Sequence, residues 1–483
     1  MFRKTAPSTA HVPTTEMTRH QQTLVDTSFE EGQYESGILL LEQLRSPKHS
    51  PSASHVRQLL YISLHQLLPE QDKLLAIPGS PSKTVSRQQK LTQYPSAKAT
   101  FAAQTLLQSL SHTVQPRLIL NAVSTRAQSS ASLDDEDSYV ANQALCIQEA
   151  KNCWAIIKEG FMRDQGAASL NMGEWNSRKD ESDDEGFHED AVPASVASNA
   201  WPVLACFIKL FERDEVQARH SGGEPYSQLL LEQVPAPRAN ATKWDVSEIL
   251  DVIFYCFEQP PEDRRILGSR LMAMLMNLVS SRVLDVPMVI NSIYKRVSTL
   301  SEQEFSAFIA KLEQSPSSLC LKIVLLHKYL TDALSSPGTT SGPRPKPQAR
   351  AQPRPVRRDG SLQSVAGRSG AIPESAASAS AGARKSFIPS AENILQVLGM
   401  KASSTGVKIT PAPISRLKFE LFAAYGTVQS GPNDEERDPV WPNLLREGRV
   451  RQVMATLTED QPPYQMLVTG MIDQWLSSGI SSQ

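Results

Sequence analysis

Apolar residues recur at helical spacing in three stretches of the chain, and polar stretches separate them. In residues 23–172, positions three and four apart are apolar, a spacing that predicts helices rather than strands. We expect these helices over residues 29–44, 56–68, 97–110 and 139–157. Residues 1–22 have no apolar period and are predicted to be disordered.

The strongest periodic signal lies in residues 197–335. Ser301 and Glu304 have the spacing of a capping box, which predicts a helix start there. Thr242 is a candidate cap for a helix near residue 244, and Pro261 suits the start of the next helix because it lacks an N–H. The predicted helices cover 200–211, 244–257, 261–278, 283–300, 301–312 and 319–334.

Helix pairs of this length, joined by short turns, are typical of helical solenoids. The sequence shows no fixed-period motif, so we predict a mainly α fold: an irregular array of helical-hairpin or HEAT-like blocks with long disordered linkers. The last stretch, residues 390–483, has apolar runs at 394–398, 417–424 and 464–475. It is predicted to form a small helical C-terminal domain.

Two linkers of opposite charge divide the predicted helical regions. The acidic linker, 173–196, holds seven acids among residues 180–190, and such a run predicts a solvated tether. The basic linker, 336–389, is rich in Pro, Ser and Ala and carries a net charge of about +7. The resulting prediction is three domains, 23–172, 197–335 and 390–483.

Charge, hydropathy and cysteine content limit the compartment. The formal net charge is -2, which does not suit a protein that coats DNA. No apolar run approaches the roughly 20 residues of a membrane span, and the N-terminus lacks the apolar core of a secretory signal. The 5 cysteines are scattered through apolar runs, as free thiols are in a reducing compartment. We therefore expect a nuclear protein, or otherwise a cytoplasmic one, that is not secreted.

A search for enzyme motifs gives no catalytic residue, cofactor-binding residue or metal ligand. The sequence has no phosphate-binding glycine loop, no GxSxG, no HExxH and no CxxC. Cys146 and Cys153 are seven residues apart, and we interpret them as core residues on one helix face. The run His188-Glu189-Asp190 belongs to the acidic linker and is interpreted as solvated charge. The prediction is a protein that is not an enzyme.

The basic linker is the first candidate binding segment, and three interpretations stay open. It is a solubilising tether, a nuclear import signal or non-specific nucleic-acid contact, or a proline-rich ligand. Its prolines never fall three apart, which does not favour the last of these. The candidate contact residues are Arg344, Lys346, Arg350, Arg354, Arg357 and Arg358.

Phosphorylation sites are the second candidate feature. Ser46, Ser50 and Ser80 each precede a proline, and Ser182 precedes a run of acids, patterns that suit proline-directed and acidophilic kinases. The candidate sites are Ser46, Ser50, Ser80 and Ser182.

The helical surfaces are the third candidate, although the methionines 272, 274 and 276 are interpreted as core. Together these patterns predict a scaffold or adaptor subunit of an intracellular, nuclear protein complex, with the linkers as regulatory segments. Its partners are other proteins of unknown identity. The alternative is a nucleic-acid or chromatin-associated factor that uses the basic linker.

Overall fold

A computed structural model describes residues 15–45, 49–65, 94–123, 139–162, 193–236, 244–334, 387–400, 411–431, 437–459 and 462–480. About three quarters of these residues are helical, which confirms the predicted mainly α class. The two predicted linkers lie almost wholly outside the described residues.

The helices are short to medium in length and follow one another along the chain. The earlier ones are α1 (Arg19–Glu30), α2 (Tyr34–Leu44), α3 (Ala53–Leu64), α4 (Ala97–Thr113), α5 (Pro116–Leu120), α6 (Tyr139–Glu149), α7 (Cys153–Ile157), α8 (Trp201–His220), α9 (Gln228–Glu232), α10 (Ser247–Glu258), α11 (Glu262–Ser280) and α12 (Val286–Val297). The later ones are α13 (Glu302–Lys311), α14 (Pro316–Leu334), α15 (Ala391–Gly399), α16 (Pro411–Ser430), α17 (Trp441–Arg446), α18 (Arg449–Leu457) and α19 (Pro462–Ile480).

Contacts between these helices divide the chain into two compact units. Unit 1 comprises Met1–Thr299 and Ala307–Ser318, and unit 2 comprises Leu300–Ser306 and Leu319–Gln483. This division differs from the domains expected at the linkers. Helix α8 follows the acidic linker, yet it packs on α3, α4, α5 and α7, which precede that linker. Helices on both sides of the acidic linker therefore share one core.

The N-terminal part of unit 1 is ordered earlier than the apolar pattern predicts. Helix α1 begins at Arg19 behind Thr18, whose side chain forms a capping box with Gln21. The single helix expected over 29–44 is instead two helices, because Gly32 adopts a positive φ of 72° between them. Two short strands, β1 (Thr15–Glu16) and β2 (His49–Ser50), pair in parallel.

The core of unit 1 is built around α8 and the hairpin of α10 and α11. Gly268 of α11 allows a close approach, because a Cβ there would lie 2.8 Å from Cys256 Cβ and 3.1 Å from the Ile253 carbonyl oxygen. The methionines interpreted as core are buried, with Met272 and Met276 fully inaccessible.

Unit 2 is organised around aromatic side chains of α16, α17 and α19. Trp475 contacts Phe422 and Trp441 at centroid distances of 5.1 and 6.1 Å, and Tyr425 packs on Trp441. Asp438 ties three elements together at one edge of this cluster. Its Oδ2 accepts bonds from the Ala391 N–H at 2.6 Å and the Tyr425 hydroxyl at 3.4 Å, and its Oδ1 accepts from the Val440 N–H.

Candidate functional site

Unit 1 contains a groove, a concave site within the described part of the chain. We call it the α8–α11 groove, because α8 and α11 supply most of its walls and residues 313–315 supply the rest. Its volume is about 550 Å³, within the range of ligand sites in proteins. The lining residues are Lys209, Glu212, Arg213, Glu215, Val216, Gln217, Arg219, Arg270, Ala273, Met274, Asn277, Glu313 and Ser315.

The groove is charged because the sequence of α8 changes character along its length. From Trp201 to Phe211 the helix is almost entirely apolar and its side chains enter the core. From Glu212 onward charged residues dominate. The sequence therefore places a charged wall directly after a buried helical segment.

Two basic residues of the groove have structural partners. Arg270 of α11 makes a bidentate pair with Glu212 of α8, with nitrogen–oxygen distances of 2.6 and 2.7 Å. Arg213 donates to the carbonyl oxygens of Ser111 and Val114, the latter at 2.8 Å. Those carbonyls lie at the C-terminal end of α4, where the helix leaves them without helical partners. Both side chains therefore hold helices together.

Glu215 is the most unusual residue of the groove. It is only 6% exposed, although it is an acid. Its Oε1 accepts a hydrogen bond from Asn277 Nδ2 at 2.8 Å and another from Arg219. Its Oε2 has no hydrogen-bond partner among the described residues. A carboxylate oxygen without a protein partner therefore faces the groove.

Burial dominates the electrostatics of Glu215. Loss of hydration raises the pKa of its carboxyl group, and the nearby acids Glu212 and Glu313 raise it further. The hydrogen bond from Asn277 and the charge of Arg219 oppose this shift without cancelling it. The folded protein thus keeps an acid where ionisation is disfavoured, which is more common at functional sites than elsewhere.

A second arrangement, at the start of α3, resembles a catalytic row. Ser52 Oγ lies 3.0 Å from His55 Nδ1, and His55 Nε2 lies 2.9 Å from Asp26 Oδ1. Ser52 is the N-cap of α3, however, and its Oγ already accepts the His55 N–H at 3.2 Å. The row is explained as a helix cap whose histidine joins α3 to α1.

The residues predicted as sites are mostly outside the described part of the chain. This holds for the basic segment (Arg344, Lys346, Arg350, Arg354, Arg357 and Arg358), for Ser46, Ser80 and Ser182, and for the run His188-Glu189-Asp190. Ser50 is described, and it is 3% exposed within β2. A kinase would reach Ser50 only after this strand pair opens.

The cysteine interpretation holds for burial but not for the shared helix face. Cys146 and Cys153 are both buried, but Cys146 belongs to α6 and Cys153 to α7, because α6 ends at Glu149. Burial raises the pKa of the Cys146 thiol to about 11. Across the described residues, no group of three or more His, Cys, Asp or Glu side chains is placed to hold a metal ion.

Sequence reasoning missed Glu215 and Asn277. A usable signal was present, since Glu215 is four residues after Phe211 and seven after Ile208, on the buried face of α8. An acid at a core position of an amphipathic helix indicates either a buried ion pair or a site.

The fold and the groove define a mainly α-helical protein with a charged concave surface. No family model, curated protein or solved structure matches the chain. In the part of the chain that the structure describes, no helix has the length and hydropathy needed to cross a bilayer.

Proposed function

We propose that this chain is a non-enzymatic scaffold or adaptor subunit of an intracellular, nuclear complex, and that a partner protein docks in the α8–α11 groove. The observation that carries the proposal is a groove of about 550 Å³ with a buried acid whose Oε2 has no partner among the described residues. An acceptor without a protein partner in a concave site favours a ligand that supplies a donor.

The lining of the groove favours binding over catalysis. It contains no His or Cys, and its one hydroxyl side chain, Ser315, caps α14 by accepting from the Ser318 N–H at 3.3 Å. A nucleophile with an adjacent base, as acyl or phosphoryl transfer commonly needs, is absent from these lining residues. The linkers remain proposed regulatory segments, with phosphorylation at the predicted serines.

Affinity capture with a matched pair of variants tests this function. Val216 lines the groove and is 49% exposed, so Val216→Arg should obstruct the groove while leaving the fold intact. Ile266 is 47% exposed on the same helix pair but does not line the groove, so Ile266→Arg is the control. We expect the native chain and Ile266→Arg to retain stoichiometric protein partners at physiological salt, and Val216→Arg to lose one.

Two results would contradict the proposal. Recovery of the native chain alone would remove the scaffold function. Retention of every partner by Val216→Arg would remove the groove as the docking site.

The second candidate function is nucleic-acid association through the basic linker. Its net charge of about +7 is the observation that favours it. Gel-shift titration at two salt concentrations should show binding that weakens with salt and disappears when residues 344–358 are deleted. Binding that survives the deletion would remove this candidate.

A further inference from the structure

The α8–α11 groove offers a hydrogen-bond acceptor that the described chain does not use. Glu215 is more than nine-tenths buried, and both of its hydrogen bonds go to Oε1. Glu215 lines the groove, and its Oε2 is open to a ligand there. A ligand that places an N–H against Oε2 therefore gains a hydrogen bond to a charged group, which is stronger than one between neutral groups.

The same groove also offers cationic donors. The Lys209 ammonium lies 3.8 Å from Glu212 Oε2, beyond hydrogen-bond distance, and it makes no hydrogen bond with the described residues. The Lys209 side chain is 37% exposed and that of Arg219 is 51% exposed, so a ligand can reach both. Four basic and three acidic side chains line the groove, which leaves it net positive.

The positions of donor and acceptor fit an extended polypeptide. Lys209 and Glu215 are six residues apart on α8, so they are about 9 Å apart along the helix axis. An extended peptide covers about 10 Å in three residues. Such a peptide can therefore place a backbone N–H near Glu215 and an acidic side chain near Lys209.

We propose that the α8–α11 groove binds an extended acidic peptide segment of a partner protein. A backbone N–H of the peptide donates to Glu215 Oε2, and a carboxylate of the peptide contacts Lys209. Val216, which is 49% exposed, provides apolar surface against which the peptide lies. This assignment rests on the proposed function, because it names the partner of the same groove.

The chemistry of the groove disfavours the other charged ligands. A basic peptide would bring further cations to a groove whose four basic and three acidic side chains already leave it net positive. A single-stranded nucleic acid would satisfy the cations, but its phosphodiester backbone carries no N–H donor for Glu215, and the groove lining has no aromatic side chain for base stacking. The acidic peptide supplies a backbone N–H donor and side-chain anions within a few residues of one another.

Fluorescence anisotropy with the full chain tests the proposal. The probe is a labelled peptide of alternating glutamate and alanine, and the comparison probes are the lysine–alanine peptide and a labelled oligo(dT). We expect the acidic peptide to bind, and we expect Lys209→Met and Glu215→Gln each to weaken it about tenfold, the effect of losing one charge-assisted contact. Lys295→Met removes an exposed lysine of α12 outside the groove and should leave the affinity unchanged.

The two groove variants are conservative, and thermal unfolding of each shows whether it remains folded. Failure of the acidic peptide to bind the native chain would overturn the assignment. So would unchanged affinity in folded Lys209→Met and Glu215→Gln, or groove-dependent binding of the lysine peptide or oligo(dT) that is as tight. If Val216→Arg loses a captured partner but the acidic peptide does not bind, the assignment is wrong and the docking function stands. If no partner is captured, the docking function itself is wrong.

Discussion

Each unit buries a charged side chain: Lys418 in unit 2 and Glu215 in unit 1. The two side chains differ in which of their polar atoms have hydrogen-bond partners in the fold. In unit 2, Lys418 is 3% exposed, and its ammonium donates to the carbonyl oxygens of Leu398, at 2.9 Å, and of Met400. These carbonyls lie at the end of α15, where a helix has acceptors without partners. In unit 1, Glu215 has partners at one oxygen only, and the other faces a groove.

This difference in hydrogen-bond partners indicates that the charge of Lys418 supports the fold and that the charge of Glu215 is available to a ligand. A buried charge whose hydrogen bonds end on backbone carbonyls of the fold joins elements of the fold. A buried charge with one oxygen open to a groove can accept a further hydrogen bond from a ligand. We therefore expect removal of Lys418 to harm the fold and removal of Glu215 to harm binding.

The largest expected change in stability comes from disturbing the packing of α16 on Trp475 in unit 2. A Cβ at Gly426 would lie 2.0 Å from Trp475, so Gly426→Ala requires the indole ring to move. We expect it to lower the free energy of unfolding by about 3 kcal/mol, at the upper end of the overpacking range. Denaturant unfolding followed by tryptophan fluorescence measures the change.

Gly470 of α19 is the matched control, because a Cβ there meets no atom within 4 Å. Gly470→Ala should stabilise α19 by about 0.5–1 kcal/mol through helix propensity. Equal effects of the two substitutions would contradict the close packing of α16 on Trp475.

The next largest effect tests whether the buried ammonium of Lys418 stabilises the fold. Lys418→Met keeps an apolar side chain of similar length but removes the donor to the end of α15. We expect a loss of about 1–3 kcal/mol in the free energy of unfolding, the cost of leaving buried acceptors without partners. Chemical denaturation at pH 7 is the measurement, and an unchanged midpoint would contradict the role of Lys418.

The free energies of unfolding of the native chain and of Lys418→Met should depend differently on pH. Burial lowers the pKa of the Lys418 ammonium to about 8, against 10.5 in an unfolded chain. Between these values the unfolded chain binds more protons than the folded one, so the contribution of this group to stability rises with pH. The native chain should therefore gain stability relative to Lys418→Met between pH 8 and 10.5. A constant difference over this range would show that the amine is not perturbed.

The smallest expected effect has the opposite sign and concerns Glu215. Glu215→Gln removes a charge that burial disfavours, and its amide oxygen can still accept from Asn277. We expect the free energy of unfolding at pH 7 to rise by about 0.5–1 kcal/mol, as stabilising replacements at functional sites commonly do. Because the folded pKa is raised, the gain should vanish as the pH falls below 4.5, where the native acid is also protonated. Destabilisation at pH 7 would place Glu215 with Lys418 as a structural charge.

Local sequence signals predicted those parts of the fold that local contacts determine. The capping box at Ser301 is confirmed: the Ser301 N–H donates to Glu304 Oε2 at 2.8 Å and Ser301 Oγ accepts from the Glu304 N–H at 3.3 Å. Helix α11 was expected to start at Pro261 and begins one residue later, at Glu262, with Pro261 as its N-cap. The start expected near residue 244 is wrong, because α10 begins at Ser247 with no side-chain cap, and Thr242 lies outside the described residues.

Features that depend on distant contacts were not predictable in this way. Helices α17 and α18 are short, and their burial depends on contacts with each other, with α15 and with α19. The groove depends on the pairing of α8 with α11, which are separated by more than 40 residues of sequence. The apolar pattern could locate both helices, but not which charged side chains would face each other.

The burial of Ser50 changes what its modification would report. Its carbonyl oxygen accepts the Met17 N–H at 3.3 Å, and its side chain is inaccessible while β1 and β2 are paired. A phosphate could be added only during the fraction of time in which this strand pair is open. The rate of labelling at Ser50 would therefore follow the opening equilibrium of the N-terminal segment. Phosphorylation at Ser50 would therefore report how often the N-terminal segment unfolds locally, whereas phosphorylation of an exposed serine would not depend on unfolding.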